Sequence, residues 1–152
     1  MAYDGRSAVT WRVSVNVIAL CGEQLLLVEP VYLGGRMELP GGEVEVGETL
    51  LEGATRECWE ETGYHFTSSD RPPIFAAEQF FCHKRGSKYR HSVILAYVGA
   101  VGESQDPSWR PGDEDKGVTV HWVRVSDLRP ELVHPNHWAA LLNSGLVTDA
   151  HA

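Results

Sequence analysis

From residue 10 to residue 20, apolar and polar side chains alternate. Trp11, Val13, Val15 and Val17 fall on one side, and Arg12, Ser14 and Asn16 on the other. A period of two predicts a strand with one buried face. Cys21-Gly22-Glu23 has the composition of a turn, and residues 24–29 return as an apolar strand, so the two pair as a hairpin. Residues 30–36 read as a loop and residues 37–39 as a short strand, ended by Pro40-Gly41-Gly42 and a glycine-rich loop through Gly47. From residue 49 to residue 62 the period becomes helical. Leu50, Leu51, Ala54 and Cys58 share one face, and Glu57, Glu60 and Glu61 share the face beside it. Glu48 and Thr49 suit the first turn, and Gly63 suits the position after the last, where a left-handed backbone is needed. Gly53, inside the helix, costs about 1 kcal/mol relative to Ala; it is either a point of close backbone packing or a tolerated defect.

Residues 67–73 form a polar, proline-containing linker. Residues 74–83 and 89–101 read as strands around a basic turn, Lys84-Arg85-Gly86-Ser87-Lys88. Residues 103–116 are a polar loop, expected to be the least ordered part of the chain. Residues 118–125 alternate again. His134-Pro135 opens a last helix, to about residue 144, with Pro135 at a favourable first position and Trp138, Leu141 and Leu142 facing inward. Short strands before and after one central helix predict a mixed sheet with helices on both sides.

Composition narrows the function. A length of 152 residues, 43% of them hydrophobic and five of them Trp, fits a single domain over residues 1–152. No leader-like segment or membrane-length apolar run is visible. Three cysteines without C-x-x-C spacing point to a reducing, cytoplasmic setting. A net charge of −8 argues against a nucleic-acid surface and means that an anionic small molecule arrives with a metal ion. The acidity concentrates in residues 41–64, which hold seven glutamates and five glycines. Glu57, Glu60 and Glu61 stand at i, i+3 and i+4, where like charges on one helix face repel. Alone, such a trio is an ordinary solvated face. A hard divalent cation reverses the sign of the interaction and leaves room for water and phosphate.

The spacing is Gly42, five residues, Glu48, seven residues, then Arg56-Glu57-Cys58-Trp59-Glu60-Glu61-Thr62-Gly63-Tyr64. This resembles the Nudix hydrolase box, G-x5-E-x7-R-E-U-x-E-E-x-G-U, in which U is a bulky aliphatic residue. All seven fixed positions are present; Cys58 and Tyr64 depart from the pattern at the two U positions. The preceding Leu39-Pro40-Gly41 and the late Trp122-Val123 also look like the family.

The resemblance implies an α+β fold: an α/β/α sandwich with a mixed β-sheet, a central loop-helix-loop catalytic motif and a C-terminal helix. It implies metal-dependent hydrolysis of a nucleoside diphosphate linked to another moiety, with Mg²⁺ or Mn²⁺. In such a site Glu57 and Glu61 ligate metal with Glu60 as a third ligand, and Gly41 or Gly42 offers a backbone carbonyl. Arg56 orients Glu57, and Glu48 pairs with Arg56 or supports the loop. The general base stays open among the box glutamates, Glu103, Asp113, Glu114, Asp115 and His121. Arg36, Phe80 and His121 are the substrate-binding candidates, with Tyr32 and Trp109 as aromatic surfaces for a base. The Pro40-Gly41-Gly42 loop resembles members that cleave (deoxy)nucleoside tri- and diphosphates. ADP-ribose, nucleotide sugars and dinucleoside polyphosphates are the alternatives, as is a non-catalytic module that senses a nucleotide. A homodimer is compatible with the chain.

Overall fold

The computed structural model describes residue 5, residues 8–82 and residues 88–149. The chain runs β1 (Ala8–Cys21), β2 (Gln24–Glu29), β3 (Gly41–Glu43), α1 (Leu50–Thr62), β4 (Thr67–Ser68), β5 (Ile74–Cys82), β6 (Lys88–Ala100), β7 (Thr119–Arg124) and α2 (Pro135–Ser144). The seven strands form one mixed sheet. β1 is its spine and lies parallel to β6 along thirteen residue pairs, from Ala8↔Lys88 to Leu20↔Ala100. The other edge of β1 is divided. Ser14, Val15 and Asn16 pair with Glu43, Gly42 and Gly41 of β3, and the far end pairs with β2 at Leu20↔Leu25. β7 lines the outer edge of β2, while β5 and β4 line β6.

Each face of this sheet carries a helix. Val15, Val17 and Ala19 pack with Leu26, Ala54 and Cys58 under α1. Ile18 packs with Leu25, Leu27, Trp138 and Leu141 under α2. This is the two-sided arrangement that the element order predicts. It corrects the expectation of a single buried face on β1: every residue from Val15 to Ala19 is fully or almost fully buried, because both helices need a floor. At its start the strand outruns that cover, and Trp11 remains 65% exposed and Val13 40%.

Three further expectations need correction. Residues 37–39 make only single bridges, Val28↔Glu38 and Met37↔Val133, and the strand forms at Gly41–Glu43 instead. There the backbones touch so closely that a Cβ on Gly41 would sit 2.2 Å from the Val15 carbonyl oxygen. The linker at residues 67–73 begins as a short strand paired to β6. The loop at residues 103–116 is not loose; it is tied to the end of α1 by hydrogen bonds from Gln105, Asp106 and Trp109. The connection at residues 83–87, with the basic turn expected there, lies outside the described residues.

Helix α1 begins and ends as its sequence predicts. The Thr49 hydroxyl accepts from the Glu52 amide at 3.1 Å, and the Glu52 carboxylate accepts from the Thr49 amide at 2.7 Å, a reciprocal capping box. Gly63 closes the helix at φ 76°. Gly53 is a point of close packing rather than a defect, since a Cβ there would meet the Glu48 carboxylate at 2.9 Å.

Candidate active site

Helix α1 lays its acidic face against the glycine strand β3, and the two are fitted by the absence of side chains. A Cβ on Gly42 would fall 2.5 Å from the Glu57 carboxyl carbon. The Gly41 amide donates to Glu61 Oε1 at 2.7 Å. What holds β3 in place is buried and was not singled out from the sequence. The Val17 amide donates to the Pro40 carbonyl at 2.9 Å, and the Asn16 amide nitrogen donates to the Leu39 carbonyl at 3.2 Å. From the other layer, His137 Nδ1 accepts from the Leu39 amide at 3.0 Å. Burial pushes His137 down to about 4, so the ring is neutral and able to accept.

Arg56 is the hub of the site. Its Nε and Nη2 form a fork on Glu48, at 3.0 and 2.7 Å, and Nη2 also donates to the Glu43 carbonyl at 3.0 Å. Its Nη1 donates to Glu57 Oε1 at 2.9 Å and to Glu60 Oε2 at 3.1 Å. A planar guanidinium suits this task because its donors are fixed in one plane and it keeps its charge. The Arg56 hydrogen bonds, helped by the Glu45 amide, hold Glu48 down to about 2.

The other carboxylates are pushed the opposite way. Burial raises Glu57 against the opposing hydrogen bond from Arg56. Burial drives Glu61 up to about 8 despite the Gly41 amide, and Glu57, Asp115 and Glu38 add to the rise. Burial also raises Asp115, with Glu114 and Glu60 contributing, and raises Glu38, which Tyr32 opposes by a hydrogen bond. One guanidinium therefore faces an excess of clustered carboxylate charge.

That excess is the test of whether a divalent cation suits these residues, and hard oxygen donors around uncompensated negative charge do suit one. Among the described residues, no three carboxylate, imidazole or thiol groups are already drawn together around a common point. The hydrogen bonds explain this: Arg56 holds Glu57 and Glu60, and Gly41 holds Glu61. Such an open site matches Mg²⁺, which keeps several of its waters, better than a metal that needs a closed cage.

Not every expected residue is here. Arg36 is exposed beside His134, whose ionisation burial and the Arg36 charge both oppose. Phe80 lies on the β5 side of the sheet, stacked on Tyr89 at 5.3 Å and lining a cavity with Trp11, Glu78 and His91 that none of Glu57, Glu60 and Glu61 lines. His121 pairs with Leu27, so it shares the α2 face of the sheet and turns away from α1. Its Nε2 is 3.9 Å from Glu29, too far for a hydrogen bond. Glu103 lines a separate cavity of about 550 Å³ with Cys21, Gln24, Trp122 and Arg124 beside the β1–β2 turn. Of the loop acids, Asp113 pairs with Lys116 at 2.7 Å and Glu114 is exposed, which leaves Asp115 as the one facing α1. Glu38 and Tyr32, which flank Glu61, carry no spacing signal that marks them in the sequence.

The two positions that depart from the box pattern are resolved by packing. Cys58 is fully buried on the sheet-facing side of α1. Tyr64 meets Trp122 edge-on at 5.3 Å, and its hydroxyl accepts from the Trp122 indole at 3.2 Å. With the glycine strand, the arginine hub and the carboxylate face in place, a family model of the NUDIX domain matches residues 10–143. The chain belongs to the Nudix family. A MutT-like protein of Streptomyces ambofaciens is 31% identical over 102 residues, 61% of this chain and 60% of the relative, so the chain spans less than two thirds of that protein's length. Two solved structures share the Nudix fold. A NUDIX hydrolase from Nitrosomonas europaea superposes with a TM-score of 0.65 at 20% identity, covering 90% of this chain and 89% of its own. A MutT NUDIX hydrolase from Burkholderia pseudomallei superposes with a TM-score of 0.58 at 20% identity, covering 91% and 99%. No helix among the described residues is long and apolar enough to cross a membrane.

Proposed function

We propose that this Nudix protein is a pyrophosphohydrolase that uses Mg²⁺ or Mn²⁺ to split a nucleoside diphosphate linked to another moiety, with (deoxy)nucleoside tri- and diphosphates as its first substrate class. The observation that carries the proposal is the intact carboxylate face of α1, ordered by Arg56 and Glu48 and pressed onto the glycines of β3. In this reading Glu57, Glu60 and Glu61 hold the metal with a backbone carbonyl of Gly41. When bound, the metal neutralises charge on the diphosphate and acidifies a water. Arg56 keeps Glu57 and Glu60 in position between turnovers, and Glu48 keeps Arg56 from rotating away. Asp115 closes the site from the opposite side as its loop acid. In this reading Tyr32, beside Glu38 and Glu61, meets the rest of the nucleotide. Phe80 and His121 have no part in it.

A sensing module that binds without cleaving is the other reading. It is disfavoured because every charged position of the box is present. Purified protein with Mg²⁺ is expected to split at least one member of a panel of nucleoside tri- and diphosphates, ADP-ribose, nucleotide sugars and dinucleoside polyphosphates, releasing a nucleotide together with pyrophosphate, phosphate, a sugar phosphate or a second nucleotide. Binding without turnover across that panel would overturn the hydrolase reading.

A further inference from the structure

The loop after β6 is fastened to the end of α1 at several points that the box does not require. The Gln105 side chain donates to the Thr62 carbonyl at 2.8 Å, and the Asp106 amide donates to the Gly63 carbonyl at 2.8 Å. The Asp106 carboxylate accepts from the Trp59 indole at 3.3 Å and lies 2.9 Å from His65 Nε2. Its other oxygen accepts from the Ser108 amide and hydroxyl at 2.9 and 2.6 Å. The Trp109 indole donates to the Glu60 carbonyl at 2.9 Å, and its ring lies so close to Gly63 that a Cβ there would be 2.8 Å from it. Gly63 thus has two reasons to lack a side chain: its left-handed backbone and the tryptophan over it.

Beyond Trp109 the loop turns back over the helix. A cavity of about 350 Å³ separates Trp59 and Glu60 on the helix side from Arg110, Asp113 and Asp115 on the loop side. Asp115, in a short 3₁₀ turn whose amide donates to the Gly112 carbonyl at 3.1 Å, is only half exposed, while Asp113 and Glu114 are solvent-exposed. A turn that carries three consecutive acids beside an acidic helix is repelled by it, so the loop needs an anchor outside that turn. Asp106 and Trp109 supply one.

We propose that Asp106 and Trp109 are positioning residues: together they latch the loop to α1 and hold Asp115 over Glu57, Glu60 and Glu61. Neither touches the reacting atoms; both act through Asp115. The use made of that geometry rests on the hydrolase reading above, and the geometry itself does not.

The test is a mutant cycle on full-length protein with Trp109→Ala, Asp115→Asn and the double variant, each checked for folding by its melting temperature. With Mg²⁺ and the best substrate of the panel, Trp109→Ala and Asp115→Asn are each expected to lower kcat 10- to 100-fold with KM within about 3-fold, the size usual for groups that orient a metal site. The double variant is expected to be no worse than Asp115→Asn, because groups acting through one another are not additive. Trp109→Phe, which keeps a ring over Gly63, should recover most of the loss. Where Trp109→Ala melts too low to assay, Asp106→Asn takes its place in the cycle. Mn²⁺ titration calorimetry is the second readout, with a weakening of about 10-fold in both single variants and no further loss in the double.

Additive losses, or wild-type kcat and Mn²⁺ affinity in Trp109→Ala, would overturn the latch. If the wild type turns over nothing, the hydrolase reading falls alone and the Mn²⁺ cycle decides the latch by the same criterion.

Discussion

Glu61→Gln separates what the carboxylate does for chemistry from what it does to the fold. Burial, reinforced by Glu57, Asp115 and Glu38, raises Glu61 from an ordinary 4.5 to about 8. A group with a raised folded pKa contributes stability that is fully present below its unfolded value and is lost as pH rises through the folded one. For Glu61 that window runs from 4.5 to about 8. The full shift corresponds to roughly 4 kcal/mol at pH 8, and solvent reaching the open side of the site reduces it to about 2 kcal/mol.

Glutamine cannot ionise and can still accept the Gly41 hydrogen bond. In EDTA at pH 8.5, Glu61→Gln is therefore expected to be more stable than wild type by about 2 kcal/mol, or roughly 4–8 °C in melting temperature for a chain of this size. At pH 5 the gap should shrink to a few tenths of a kcal/mol. Adding Mg²⁺ should reverse the order, stabilising wild type and leaving the variant unmoved, while hydrolysis by the variant falls about 10³-fold or more. Paired melting curves at the two pH values, with and without Mg²⁺, make the measurement. A variant no more stable than wild type in EDTA at pH 8.5 would refute the claim that Glu61 is a half-buried carboxylate kept for a cation.

Other expectations follow from single contacts. Arg56→Lys keeps a charge but loses the fork on Glu48 and the shared contact with Glu57 and Glu60, so kcat should fall about 100-fold with a smaller change in KM, read by steady-state kinetics. Gly42→Ala would drive a methyl into the Glu57 carboxylate and should cost about 10- to 100-fold in activity while circular dichroism stays native. Thr49→Ala removes the capping box at the end of α1 distant from Gly63 and should lower stability by about 1 kcal/mol in urea titration, with kcat nearly unchanged once the protein is folded.

The parts legible in the sequence were those written in local terms. Helix α1 announced its own limits through Thr49 and Gly63, because caps are satisfied by residues three or four apart; the part of Glu52 in the capping box appears only in the structure. Glu57, Glu60 and Glu61 were legible because helix periodicity puts them on one face, and Arg56 and Glu48 through the resemblance to the box. The split edge of β1 was not legible, since pairing with β3 and with β2 depends on how distant segments divide one strand. Nor was the short strand at Gly41–Glu43, whose residues have poor strand propensity and pair there because a backbone without side chains fits against β1. His121 sits next to Trp122 in sequence but on the opposite face, and only the pairing with Leu27 reveals which face looks toward α1. Asp115 was one of several loop acids until the loop's anchorage selected it.

The parallel pairing of β1 with β6 has a consequence for how the site comes into being. Val15 meets Leu95 across 80 positions of chain, so the central contact of the sheet closes a long loop, the kind of contact that forms slowly. The glycine strand that receives Glu57 and Glu61 hangs on β1 by three residue pairs. An excised peptide of residues 41–64 would carry every charge of the box and none of the floor it rests on. Assembly of the acidic face is then a late event in folding, delayed until a sheet spanning most of the chain exists to oppose its repulsion. A cation present during folding would act on that last step and leave the earlier ones alone.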